Sequence, residues 1–362
     1  MRHMMSSIRR PVRRLGGEKH LLITLLSFAA SVSLTRLFLE LTGYPQLGSG
    51  EIHIAHVLWG GLLLFIAALL PQLFANRWVY TLGALMTGTG AGLFIDEVGK
   101  FITSSNDYFH PLAAPIVYTF FLLTVLLYLQ VRRPAPKGAR EELYQALDAL
   151  EEVLDHDLDQ QEMRELEARL GYVSENTEHP EFARLANELL EFIQCGDLRL
   201  TTPRSTLWKR LSELWRSFEA QWFERNRLKA ILIGGLLALG FVALVNMLRA
   251  LPIGPSPTHF ERIITRLITE GQVNSQGGIT WYLLRIALET SAGVLLLTAS
   301  GFLILGKDRL GIVFGHMSLL VSLTAINLLV FYFDQFSTIL PSTIQFVLLL
   351  GITYYRQHYL PR

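Results

Sequence analysis

The feature that most constrains this chain is a series of eight apolar runs, near residues 20–42, 54–75, 78–101, 112–132, 228–250, 281–305, 310–333 and 338–356. A hydrocarbon core ~30 Å thick needs about 20 helical residues at ~1.5 Å each, and these runs approach or exceed that length. A backbone crossing lipid must pair its own N–H and C=O groups, so such runs are read as helices. The first follows the basic segment "MRHMMSSIRRPVRRLGGEKH". It is long for a signal-peptide core and has no clear small-x-small site before Arg36, so it is read as an uncleaved crossing. Only 17% of residues are charged, against 51% hydrophobic, and the charges fall in the breaks between runs. The single cysteine, Cys195, excludes an internal disulfide.

Lys and Arg in the flanks set the expected orientation. Arg9, Arg10, Arg13, Arg14 and Lys19 precede the first run, Arg132, Arg133, Lys137 and Arg140 follow the fourth, and Arg356 and Arg362 end the chain. Eight crossings place all three clusters on one side, expected to be the cytoplasmic face of the inner (plasma) membrane. Loops 43–53 and 102–111 then face outward, nearly free of cations, whereas 251–280 carries Arg262 and Arg266 against the trend.

Four regions follow: a basic N-terminus, 1–19; a first four-helix membrane half, 20–133; an inserted cytoplasmic domain, 134–226; and a second four-helix half, 227–362. The fold class is all-α. The inserted domain is acidic, with 17 Asp and Glu against 5 Arg over 140–199. Leu143, Leu147, Leu150 and Leu154 form one helical stripe, and Leu185, Leu189 and Phe192 another. Trp208, Trp215 and Trp222, seven apart among Arg and Lys, predict an amphipathic helix at the membrane interface. "DHDLDQQEMREL" (155–166) resembles a calcium loop but lacks its turn glycine and terminal glutamate, so it reads as a solvated acidic helix.

The membrane halves look like copies. "GGLLLFIAALL" (60–70) parallels "GVLLLTASGFL" (293–303), with His56 and Glu289 each four residues upstream. "GLFIDEVGKFI" (92–102) parallels "VFYFDQFSTIL" (330–340), matching Asp96 to Asp334. Parallel repeats about an axis along the membrane normal are expected.

Ionisable groups inside a crossing cost ~2.5–3.5 kcal/mol or more, so they mark interior contacts or sites. Arg36, Glu40, Glu51, His53, His56, Asp96, Glu97, Lys100, Arg249, Arg285, Glu289 and Asp334 all fall in the outer parts of the predicted crossings, while the inner parts read as almost purely apolar. This predicts a polar cleft open to the outside, with Asn106 and Asp107 at its mouth. Gly88, Gly92, Asp96 and Lys100 are four apart, on one helical face. The glycines admit a neighbouring backbone, and Lys100 can offset one carboxylate. His53 and His56, with Glu51, Asp96 and Glu97, form a candidate set for one divalent metal, Zn, Mn or Fe. A hydrogen-bonded network fixing two helices is the competing reading.

The stretch 51–130 resembles a family of uncharacterised bacterial integral membrane proteins. The carrying residues are "HIAHVLWGG" (53–61), "GTGAGLFIDEVGKF" (88–101) and "NDYF" (106–109). The resemblance implies that the His and Asp-Glu elements matter; it carries no assigned activity. Three functions follow as expectations. The first is a transporter-like protein binding a small polar solute or cation. The second is a metal-dependent hydrolase of a lipid-type substrate. The third is a scaffold or sensor whose acidic domain recruits a basic cytoplasmic protein. The expected surroundings are the lipid bilayer, with no nucleic-acid partner.

Overall fold

The computed structural model describes residues 11–43, 55–133, 138–154, 158–195, 224–250, 265, 268–269 and 276–360. Glu51, His53 and the helix expected around Trp208, Trp215 and Trp222 lie outside the described residues. All regular structure among the described residues is helical. In chain order the helices are α1 (Gly17–Thr42), α2 (His56–Leu73), α3 (Trp78–Asp96), α4 (Val98–Ile102), α5 (Ala113–Arg132), α6 (Ala139–Leu154), α7 (Gln160–Asn176), α8 (Pro180–Cys195), α9 (Arg225–Ala250), α10 (Gln276–Ile304), α11 (Asp308–Val321), α12 (Asn327–Asp334) and α13 (Ile339–Tyr359). A π-helical turn, Ser322–Ile326, joins α11 to α12, and a 3₁₀ turn, Gln335–Thr338, joins α12 to α13.

Among the described residues, seven helical stretches are long and apolar enough to cross a membrane, the last being Asp308–Tyr359. They are apolar around most of their circumference, and their outer faces expose large side chains such as Leu41, Phe65, Leu126, Phe241 and Val347. In water such faces would drive association, whereas lipid accommodates them.

The chain divides into two compact units. Unit 1 comprises Met1–Val32, Leu58–Leu93 and Leu123–Arg210. In it α1 and α3 cross closely. Ser31 Oγ donates to Thr89 O at 3.0 Å and Thr24 Oγ1 to Ala84 O at 3.2 Å. A Cβ on Gly88 would collide with Ser27 Oγ and Thr24 O, and one on Gly92 would stand 2.8 Å from Ser31 Cβ. The expected role of these glycines is thus met.

The acidic helices α6, α7 and α8 bury a core of Leu143, Ala146, Ala149, Val153, Leu166, Leu170, Val173, Ala186 and Ile193. This corrects the expected stripes: Leu147, Leu154, Leu185 and Phe192 are exposed. Small residues let these helices approach, so the contact line shifts from the leucines to Ala146, Ala149 and Ala186. Asp159 is a helix N-cap, in a capping box with Glu162 that satisfies the first turn of α7. The basic N-terminal segment docks here too: Arg14 Nη2 lies 2.8 Å from Asp148 Oδ1, and its guanidinium sits 3.4 Å over the Tyr80 ring.

Unit 2 comprises Ser33–Val57, Phe94–Leu122 and Leu211–Arg362. Its core joins α9, α10, α11 and α13 through Leu232, Leu236, Leu296, Leu303, Ile312, Leu319 and Ile352. Gly240 and Gly293 bring α9 and α10 into backbone contact: a Cβ on Gly240 would stand 2.9 Å from Gly293 O. Tyr118 stacks on Phe331, ring centroids 4.5 Å apart, and donates to Leu323 O in the π turn at 2.6 Å. Pro341 falls in the first turn of α13, where a missing N–H breaks no intrahelical bond.

Candidate functional site

Three polar clusters lie in unit 2 among the described residues. The first gathers around the end of α3. The helix stops at Asp96, Glu97 turns the chain (φ −89°, ψ 11°), and α4 begins at Val98. Asp96 is fully buried and Glu97 is 1% exposed. Two carboxylates at that depth require partners. Arg36 supplies one, donating Nε–H to Asp96 Oδ1 at 2.7 Å and Nη2–H to the Asp96 carbonyl at 3.1 Å. Its guanidinium lies between two rings, 4.0 Å from Tyr108 and 3.7 Å from Phe336. Tyr108 donates its hydroxyl to Asp96 Oδ2 at 2.7 Å. Burial, with the Asp96 charge adding to it, pushes that hydroxyl far above the ordinary tyrosine range, so it is a fixed donor.

Glu97 has a separate set. Its Oε1 accepts the His56 backbone N–H at 3.1 Å and lies 2.9 Å from His56 Nδ1, while Lys100 Nζ sits 3.2 Å from Oε2. His56 Nε2 is 3.3 Å from Asp96 Oδ2 but is buried without a hydrogen bond. The loop carrying Tyr108 is held by Gly99, where a Cβ would stand 2.7 Å from Asp107 O and 2.9 Å from Tyr108 O.

The expected meeting of the "HIAH" helix start with Asp96 and Glu97 therefore occurs, through His56. Lys100 offsets a carboxylate as expected, but that carboxylate is Glu97. The chain turns at Glu97, so helical i,i+4 spacing does not carry from Asp96 to Lys100. Asn106 adopts a left-handed turn (φ 53°), and Asp107 accepts the Phe109 N–H, so both shape the loop. Glu40 is exposed and joins no ion pair among the described residues. Among those residues no group of three or more His, Cys, Asp or Glu is placed to hold a metal ion.

The second constellation is in α9–α13. Arg285 grips Asp334 with both terminal nitrogens, Nη1 to Oδ1 at 2.8 Å and Nη2 to Oδ2. Its Nε lies 3.6 Å from Glu289 Oε2 and forms no hydrogen bond. Asn246 donates to Glu289 Oε1 at 3.0 Å. Asn327 Nδ2 reaches Ser342 Oγ at 3.0 Å and Gln345 Oε1 at 2.9 Å. Glu289, Asp334 and these amides line a cavity of about 120 Å³, with Ser322 and Thr338. One wall is the π turn, a distortion of the α-ladder that recurs at functional positions.

The matched aspartates thus share a feature: each ends a helix and holds an arginine. The arginines come from different places in their halves, Arg36 from the first helix and Arg285 from the second. Sequence reading missed Asn246, Ser322, Asn327 and Gln345, because it searched for ionisable groups. Uncharged amides inside apolar runs were the available signal.

A third cluster was also missed. At the opposite ends of α9 and α11, Lys229 Nζ is 2.6 Å and Arg225 Nη2 3.4 Å from Asp308, which accepts the Tyr355 hydroxyl at 2.8 Å. Asp308 opens α11, where the helix dipole favours a carboxylate.

Compared with family models, with curated proteins and with solved structures, the chain gives no match.

Proposed function

We propose that this protein is a multi-pass membrane protein that binds a small polar solute in the cavity among α9–α13. The observation that carries the reading is the cavity itself: buried Ser322, Asn327, Thr338 and Ser342 converge there with the half-buried Glu289 and the more exposed Asp334, on helices that are otherwise apolar. Polar groups at that depth are costly unless they serve packing or a ligand. In this reading the stretch Asp308–Tyr359, 52 residues long, crosses twice. At ~1.5 Å per residue it is more than double a ~30 Å core, and it is interrupted at Gln335, whose φ is 48°. Eight crossings result, with both termini and the acidic α6–α8 segment cytoplasmic. The helix breaks after Asp96 and Asp334 support an internal duplication, and the resemblance of 51–130 to membrane proteins belongs to the same proposal.

The test is water access. In a Cys195→Ser background, Val330→Cys places a thiol at the cavity and Val313→Cys places one on an exposed face of α11. A membrane-impermeant methanethiosulfonate should label Val330→Cys in intact vesicles and spare Val313→Cys. Failure to label Val330→Cys from either side of the membrane would sink the reading.

A second reading has one observation in its favour. The buried, unbonded Nε2 of His56 faces Asp96 and is the type of nitrogen that ligates a divalent metal such as Zn, Mn or Fe. Because Arg36 and Lys100 already engage Asp96 and Glu97, a metal would have to displace at least one cation. Elemental analysis of purified protein beside His56→Ala decides it: stoichiometric metal lost in the variant supports the site, and equal content in both removes it.

A further inference from the structure

We infer that the α9–α13 cavity takes a small monovalent cation, with Glu289 as its anionic anchor. This deepens the solute-binding reading and rests on it. The first ground is sign. Among the described residues, Glu289 and Asp334 are the charged side chains lining the cavity. The neighbouring cation, Arg285, is spent on Asp334 through both terminal nitrogens. Its remaining Nε stands 3.6 Å from Glu289 Oε2 without a hydrogen bond. Glu289 is held by one neutral amide, from Asn246. Two carboxylates against one guanidinium leave the site one negative charge in excess.

The second ground is the broken helix. The run from Asp308 ends at Asp334, on the cavity wall, and resumes as α13 only after the 3₁₀ turn. The carbonyl end of a helix carries a partial negative charge, so this terminus adds to the carboxylates. Interrupted membrane helices present carbonyl ends to cations in this way.

The third ground is the rest of the lining. Ser322, 4% exposed, and Thr338, 5% exposed, add hydroxyl-bearing side chains to the carboxylates and amides of the cavity. Hydroxyl and amide oxygens are hard donors suited to a small cation. Size sets the upper limit. A volume of about 120 Å³ holds several waters at ~10–15 Å³ each, and falls below the ~300–1,000 Å³ of sites for drug-sized ligands. The occupant is therefore a partly hydrated alkali ion or a protonated amine of a few heavy atoms. Their common chemistry is one positive charge and hydrogen-bonding or coordinating capacity matched to carboxylate, amide and hydroxyl.

The experiment uses the full chain with Cys195→Ser and Val330→Cys, in vesicles. Rates of modification are compared for a cationic and an anionic methanethiosulfonate of similar size. The cationic reagent should react ~10-fold faster or more, since a cleft of one sign concentrates counter-ions by about that factor. Glu289→Gln should collapse the preference, and Glu289→Asp should keep it. If Glu289→Gln fails to fold, protection serves instead. At constant ionic strength, sodium or potassium slowing the reaction relative to N-methylglucammonium identifies an alkali ion; ammonium or methylammonium doing so identifies an amine. Equal rates for both reagents, with no cation protecting, overturn the inference while leaving water access intact. No labelling by either reagent overturns the solute-binding reading itself.

Discussion

Arg36 donates Nε–H to Asp96 Oδ1 at 2.7 Å, with its guanidinium clamped between the Tyr108 and Phe336 rings. Sixty residues separate the pair, so the contact is tertiary. It ties α1 to the end of α3, and through Phe336 to the turn after α12. Within unit 2 the Gln335 side chain, donating to Phe109 O at 2.9 Å, and the Tyr118–Phe331 stack join the same two parts of the sequence.

Breaking this pair on one side should be far worse than removing it whole. Arg36→Ala leaves a fully buried carboxylate without its cation, at a cost of about 3–5 kcal/mol. Arg36→Lys keeps the charge but loses the planar fork and the ring stacking, so it should fall between. Arg36→Leu with Asp96→Leu should recover much of the loss. Thermal unfolding in detergent, followed by circular dichroism, ranks the three; equal destabilisation by the single and double variants would contradict the pairing.

Tyr108 should remain protonated when exposed tyrosines ionise. Burial raises its pKa, and the Asp96 charge raises it further. A raised folded-state pKa stabilises the fold fully below the unfolded value near ~10, and that contribution is lost as pH rises through the folded value. Wild type and Tyr108→Phe should therefore give the same 295 nm absorbance titration across the ordinary tyrosine range. A missing amplitude in Tyr108→Phe would show that the residue titrates normally.

Two glycine substitutions should have opposite signs. Gly→Ala in a helix is ordinarily favourable by ~1 kcal/mol. A Cβ at Gly61 meets nothing within 4 Å, so Gly61→Ala should be neutral or stabilising. At Gly92 it would stand 2.8 Å from Ser31 Cβ, so Gly92→Ala should destabilise by about 1–3 kcal/mol as α1 and α3 are forced apart. Melting temperatures of the two variants beside wild type provide the comparison.

Asn327 should be the most sensitive uncharged residue of the cavity. Its amide serves Ser342 and Gln345 at 3.0 and 2.9 Å. Asn327→Leu removes the donor and strands the Gln345 acceptor, costing about 1–3 kcal/mol. Ser342→Ala in the same background should cost little more, because the two share one contact. Additive losses would argue against the bond.

The sequence by itself determined several helices and nearly their ends. The apolar runs near 20–42, 112–132 and 228–250 are the helices Gly17–Thr42, Ala113–Arg132 and Arg225–Ala250, whereas the run expected over 78–101 breaks after Asp96. Length and apolarity suffice there, because each helix satisfies its own backbone and needs no partner to be recognised. The meeting of His56 with Asp96 and Glu97 was legible for a related reason: few polar groups occupy those runs, so few pairings are open.

Tertiary structure decided which charge meets which. Nothing local selects Arg36 for Asp96 or Arg285 for both Asp334 and Glu289; the packing that brings those helices together does. It also decided where the acidic domain's core lies, since Ala146 and Ala186 become central only when another helix approaches them. The cavity was invisible for the same reason. Asn246, Ser322, Asn327 and Gln345 come from four separate stretches, and isolated amides and hydroxyls line one cavity only after those stretches converge.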